Sequence, residues 1–264
     1  MDYAAEIAAW RARRVALLTS ETGWLSLADL VWLEEGGNAT AAGIFEVRGR
    51  RVTFSAAPGL TVTADGLPVT ASIAVLSDAV PGPTLLAHGP RRYQLLERGG
   101  RLALRVRDLE SPARKQLREI ASFPIDPAWR LEARFEPYDP PKRIPMPSVV
   151  NTVEQEISPG AVVFEIAGVT HRLDPILERG ETDYWIVFGD RTNGVETYGA
   201  GRFVYVPPHI GGRTVLDFNK AYNPPCAFTP YSTCPLPPPQ NKLAFRVEAG
   251  EKAYEPASSL QRAQ

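Results

Sequence analysis

Short stretches in which apolar and polar residues alternate, each closed by a turn built around glycine, constrain this chain more than any other feature. Phe45 and Val47 alternate with polar neighbours, as do Val52 and Phe54, with Arg48-Gly49-Arg50 between them. A period of two puts successive side chains on opposite faces, which is the signature of a half-buried strand. Asp65-Gly66 separates Leu60–Thr63 from Leu67-Pro68-Val69, and Gly99-Gly100 joins Tyr93–Glu97 to Leu102–Val106. Both dipeptides tolerate the positive φ that two-residue hairpin turns require, so each predicts an antiparallel pair. Further strands are expected around Trp129–Phe135 and at Val149–Glu156, Val162–Ile166, Val169–Leu173, Tyr184–Phe188, Arg202–Val206, Val215–Phe218 and Leu243–Val247.

Three helices interrupt this pattern. Asp2 is a suitable N-cap for a helix near 2–18, with Tyr3, Ile7, Trp10 and Leu17 on one face and Arg11 and Arg13 on the other. Ser26 followed by Asp29 reads as a capping box, with Gly36-Gly37 as the stop, and predicts a second helix over 26–35. Ser111-Pro112 predicts a third over 112–120. The expected fold class is mainly β, an antiparallel barrel or sandwich with an N-terminal helical segment and one short inserted helix. Residues 1–264 read as a single β-rich domain. Five prolines between Pro137 and Pro147 mark where a subdivision would fall, near 137–147.

Charge and composition narrow the partners. Lys and Arg number 29 against 30 Asp and Glu, and 29 − 30 = −1, so nothing draws the chain to nucleic acid or to an anionic membrane. No run of about 18 apolar residues occurs, and the acidic start Met1-Asp2-Tyr3-Ala4-Ala5-Glu6 does not suit a signal peptide. A cytoplasmic location is the expectation. The three histidines, His88, His171 and His209, stand apart in sequence, and no HxxEH, HExxH or CxxC spacing occurs, so neither a metal nor a cofactor is expected. No GxSxG or GxGxxG motif occurs either.

The segment from Asp190 to Asn241 departs most from the rest. Seven of the sixteen residues from Pro224 to Pro239 are proline, which makes a stiff, irregular loop of the length often found in binding loops and lids. One reading makes it the wall of a small-molecule pocket lined by Tyr198, Arg202, Asp217, Asn219, Tyr222 and Asn223. Tyr198, Asp217 and Tyr222 would then move protons, and Arg202, Asn219, Asn223 and Asn241 would bind substrate. The other reading makes the asparagines clasps that satisfy backbone groups left unpaired by the prolines. Arg202 divides in the same way, between a bidentate clamp on an anionic ligand and a structural ion pair with Asp190 or Asp217. Cys226 and Cys234, eight positions apart, are buried thiols, a disulfide or a reactive thiol, with burial in the reduced form expected.

The segments "TYGAGRFVYVPP" and "VLDFNKAYNPPCAFTPYSTCPLPPPQNKL" and the closing "AGEKAY" resemble a bacterial family catalogued only as a domain of unknown function, number sixteen eighty-four. The resemblance extends to the N-terminal "WR..R" and "GWLSL..L.WL..G.N" segments and to "RVRDLESPAR" and "FP....WR" in the middle. It implies a fold group and no particular reaction. The residues themselves suggest a metal-independent enzyme acting on a small polar or anionic metabolite by hydrolysis, elimination or isomerisation. The alternative is a non-catalytic β module whose mouth, lined by Tyr198, Tyr222, Phe228 and Tyr231, holds a small molecule.

Overall fold

The computed structural model describes residues 2–178 and 180–255. Every strand ladder among them is antiparallel, and the protein is mainly β, with an N-terminal helix and one short inserted helix. The chain divides into two compact units, one made of Met1–Ala16 with Leu117–Gln264 and the other of Leu17–Gln116. The division does not fall in the proline-rich stretch 137–147, which lies inside a single strand.

In the second unit β1 (Leu27–Trp32), β2 (Gly36–Ala39), β3 (Gly43–Arg48), β4 (Arg51–Ala56), β5 (Thr63–Ala64) and β6 (Leu67–Pro68) are followed by β7 (Ile73–Val75), β8 (Leu85–His88), β9 (Arg91–Arg98) and β10 (Arg101–Asp108). They form a six-stranded sheet in the order β1-β10-β9-β8-β5-β6 and a four-stranded sheet β2-β3-β4-β7. Asp65-Gly66 and Gly99-Gly100 make the expected tight turns, with all four residues at positive φ and registers Ala64↔Leu67 and Arg98↔Arg101. The inward-facing residues of these strands, Phe45, Val47, Val52, Phe54, Leu86, Tyr93, Leu95 and Leu104 among them, form one apolar core.

The helix expected over 26–35 is instead a 3-10 turn, Trp24–Ser26, running into β1. Ser26 Oγ donates back to the carbonyl of Gly23, and Asp29 accepts from the N–H of Leu30, so the capping box never forms. Pairing of Leu27–Trp32 with Ala103–Arg107 outweighs a helical signal carried by a single turn of sequence. The inserted helix is real but short, Pro112–Gln116.

In the first unit the N-terminal helix α1 (Tyr3–Thr19) supplies its residues up to Ala16. The strands are β11 (Arg130–Pro147), β12 (Val153–Ile166), β13 (Val169–Leu173), β14 (Tyr184–Phe188), β15 (Arg202–Val206) and β16 (Arg213–Asp217). They pair as β13-β12-β11-β16 and β14-β15. Ala167-Gly168, both at positive φ, turns β12 into β13. Phe135, Phe164, Tyr184, Ile186, Phe188, Val204 and Phe218 dominate the core, and Phe218 takes Trp129, Phe164 and Phe188 edge-on. Leu243–Val247 is not the expected strand. Its backbone is engaged by Gly189 and Arg191 and by the side chains of Asp190 and Arg202, leaving no free edge for a ladder.

Two glycines of this unit separate backbone conformation from packing. Gly168 and Gly250 both have positive φ, but a Cβ at Gly168 meets nothing within 4 Å, whereas one at Gly250 would come within 2.4 Å of the Ala221 carbonyl and 2.8 Å of that of Phe218. Gly168→Ala should cost about 1 kcal/mol in urea unfolding, the price of a strained conformation alone. Gly250→Ala adds overpacking and should cost about 3 kcal/mol or more. Equal losses would show that contact at Gly250 does not matter.

Candidate functional site

The polar turn after β14 satisfies itself. Asp190 Oδ1 accepts from the Thr192 N–H at 2.8 Å and the Thr192 hydroxyl at 2.6 Å, and Asn193 Oδ1 accepts from the Asp190 N–H at 2.6 Å. Asn193 Nδ2 reaches onward to Thr197 Oγ1 and the Tyr198 carbonyl. The other Asp190 oxygen takes Arg202 Nη2 at 2.9 Å, with both side chains 0% exposed. Arg202 also donates to the carbonyls of Val247, Ala249 and Glu251. Of the two roles open to Arg202 in sequence, the structure has the ion pair with Asp190.

The asparagines behave as clasps. Asn241 Oδ1 accepts from the Asp174 N–H at 2.7 Å while its Nδ2 donates to the carbonyls of Asp174 and Val187. Asn219 holds both backbone groups of Asp126 and donates to the Tyr3 hydroxyl, which itself donates to Asp217 Oδ1 at 2.9 Å. Asn223 donates to the Lys252 carbonyl, and its own N–H and carbonyl go to Glu251 Oε2 and Arg14 Nη2. Arg14 Nε meets Glu251 Oε1 at 3.1 Å and its guanidinium lies 4.6 Å from the Tyr222 ring centre. Burial pushes the Glu251 carboxyl up, and Arg14 and the Asn223 N–H offset part of that.

Tyr198 donates to the Cys226 carbonyl at 3.1 Å, and burial raises its hydroxyl well above the ordinary tyrosine value. Burial raises Tyr222 in the same way. Tyr222 stacks on Tyr205 and packs against Trp10 and Phe203, and the Tyr205 hydroxyl donates to Glu178 Oε2 at 2.8 Å. Phe228 packs on Tyr254.

A cleft of about 490 Å³ opens on the other side of the polar turn. Its residues are Gly189, Asp190, Arg191, Asn193, Gly199, Ala200 and Gly201 from one stretch, and Leu236, Pro237 and Lys242–Ala244 from the other. Leu236 and Pro237 bring the end of the proline loop to this cleft. Gly201 is indispensable to its shape, since a Cβ there would come within 2.5 Å of Pro237 and 2.6 Å of the Phe188 carbonyl at a φ of +94°. Tyr198, Arg202, Asp217, Asn219, Tyr222, Asn223 and Asn241 are absent from this lining. Arg191 and Lys242 replace them. Both are exposed, and among the described residues neither is in an ion pair. Neither was singled out in sequence, where a lone cation beside a turn looks like any solvated residue. Glu251 and Arg14 had a faint signal, because each stands in a segment that carries the family resemblance.

A family model described as "Protein of unknown function (DUF1684)" matches residues 115–252. That span, 252 − 115 + 1 = 138 of 264 residues, is just over half of the chain. The chain belongs to this family. The match covers the strands β11 to β16, the cleft and the Arg202 network, whereas α1 and the strands β1 to β10 precede it. The solution NMR structure of an uncharacterised protein from Haloarcula marismortui is similar at 27% identity, over 53% of this chain and 78% of that one, with a TM-score of 0.45. No curated protein matches.

Two measurements probe the buried charges that this family segment carries. Arg202→Ala leaves Asp190 buried without its partner and should reduce unfolding free energy by about 3–5 kcal/mol. A loss below about 1 kcal/mol would mean that water reaches the site. Because the folded-state Glu251 carboxyl titrates above its ordinary 4.5, the native state holds that proton more tightly than the unfolded chain does. Ionising Glu251 therefore costs stability as pH rises from about 4.5 through the raised value. Glu251→Gln lacks this cost, so its stability relative to the parent should climb across that window and then level off. A flat difference would show that Glu251 titrates as an ordinary carboxyl.

Proposed function

We propose that the protein is a binding module for a small anionic molecule, held in the cleft walled by residues 189–201 and 236–244. The observation that carries this reading is the charge of the lining. Arg191 and Lys242 are unpaired among the described residues, and the carboxylate among the lining residues, Asp190, is already neutralised by Arg202. A carboxylate or phosphate group would therefore meet net positive charge over a glycine surface that lets it approach closely. Leu236, Pro237 and Leu243 offer contact to an apolar portion.

Binding is favoured over turnover because the groups expected to move protons are otherwise engaged. Asp217 accepts from Tyr3 and from the Asn219 N–H, and burial raises the Tyr198 and Tyr222 hydroxyls, which holds both protonated. A base poised near pH 7 would have to come from elsewhere.

Titrating isotope-labelled protein with small carboxylates and phosphates tests this. Amide shifts should cluster at Gly189, Gly199 and Gly201 and weaken as salt is added. Arg191→Ala and Lys242→Ala, both exposed positions, should each lower affinity about fivefold, or roughly 1 kcal/mol. Unchanged affinity in the double variant would reject the cleft as the anion site.

A further inference from the structure

Cys226 and Cys234 are both free, and they meet in the interior edge of the proline loop. Cys234 is buried in a small apolar cluster with Ile144, Met146, Ile176, Val187 and Phe203, and Cys226 packs half-buried against it. The Cys226 N–H donates to Cys234 Sγ at 3.1 Å, and the Cys234 thiol in turn approaches Ser232 Oγ at 3.5 Å. A sulfur seated on the amide of another cysteine lies within a side-chain rotation of that residue's own sulfur.

Both backbones are pinned. Cys234 is held to the end of β11 and the turn after it, because its carbonyl accepts from the Val149 N–H at 2.9 Å and the Leu236 N–H reaches the Pro147 carbonyl at 2.7 Å. Cys226 sits in the 3-10 turn Pro225–Ala227, with the Tyr198 hydroxyl on its carbonyl. Pro224, Pro225, Pro230 and Pro235 limit what lies between and beside them. The neighbouring sulfur holds the Cys226 thiol below the usual range and pushes that of Cys234 up. The more exposed thiol is thus the better nucleophile, and the buried one waits beside it.

We propose that Cys226 and Cys234 are a redox modification site, a dithiol that low-molecular-weight disulfides convert to an internal disulfide, with Cys226 attacking and Cys234 resolving. In the first step the Cys226 thiolate attacks one sulfur of the small disulfide, a Cys226–S–S–R bond forms, and one thiolate RS⁻ leaves. In the second the Cys234 thiol gives up its proton and attacks Cys226 Sγ, forming the Cys226–Cys234 bond and releasing the second RS⁻. The protein is oxidised by two electrons, and the small disulfide is reduced to two thiols.

The test uses the native protein and dithiobis(2-nitrobenzoate), an aromatic disulfide that releases a coloured thionitrobenzoate at each exchange. Two equivalents should be released, and the product should have the mass of the reduced chain less two hydrogen atoms, with no adduct. Cys234→Ser should release one equivalent and stop at a stable mixed disulfide on Cys226. Cys226→Ser should react at least about tenfold more slowly than the parent, because a buried thiol must await local opening. A parent protein that ends with two separate adducts, with one adduct only, or without reaction overturns the proposal. Because the parent alone decides it, a variant that fails to fold does not rescue it.

Discussion

A fully buried guanidinium paired with a fully buried carboxylate organises the first unit. Removing Arg202 and Asp190 from water costs several kcal/mol for each ion, and the pair persists because both Nη atoms of Arg202 and both oxygens of Asp190 are hydrogen-bonded, although the buried Arg202 Nε finds no partner among the described residues. Three of those contacts are the carbonyls of Val247, Ala249 and Glu251, which alternate along one extended stretch. Asp190 adds the Val247 N–H. The C-terminal stretch has no ladder of its own, so this charge pair takes the place of one. Its position then fixes Gly250 against Ala221 and brings the Glu251 carboxylate to Asn223 and Arg14.

From there the network runs back to the N-terminal helix. Arg14 neutralises Glu251 and lies over the Tyr222 ring, Arg11 donates to the Phe123 carbonyl, and Tyr3 joins Asp217 and Asn219. Lys220 reaches Glu6 one turn further along the helix. Residues from sequence segments more than 200 positions apart thus close one polar layer over the edge of the apolar core. Such a layer specifies the fold strongly, because any partner removed leaves another polar group buried and unsatisfied.

This layer explains why the fold was far more legible in the sequence than the site. Hairpin turns are local: Asp65-Gly66 and Gly99-Gly100 dictate positive φ whatever surrounds them, and the strands on either side follow. Strand β1 was misread as a helix because its pairing partner, Ala103–Arg107, lies some 75 positions away, and no short-range pattern reports it. The polar residues of 190–241 were conspicuous for a sound reason, since their types are costly to bury. Sequence alone cannot say whether the partner that repays the cost is a ligand or the protein's own backbone. For Arg202, Asn219, Asn223 and Asn241 it is the backbone or a neighbouring side chain. The exposed cations Arg191 and Lys242 were inconspicuous because a solvated lysine or arginine repays nothing and so carries no local signature.

The limits of the family match sharpen the role of the helix. Residues 115–252 contain Glu251, Asn223, Asp217 and Asn219, but not Arg14 or Tyr3, which approach from α1. Within that segment alone the Glu251 carboxylate would keep the Asn223 N–H and lose its neighbouring cation, while Asp217 would lose the Tyr3 hydroxyl. An isolated buried carboxylate moves toward protonation when its cation is removed. The helix is therefore the electrostatic complement of the segment that precedes Lys252. Arg14, four residues after Trp10 and seven after Ile7, stands in line with the apolar stripe of the helix and carries there the charge that the C-terminal block needs.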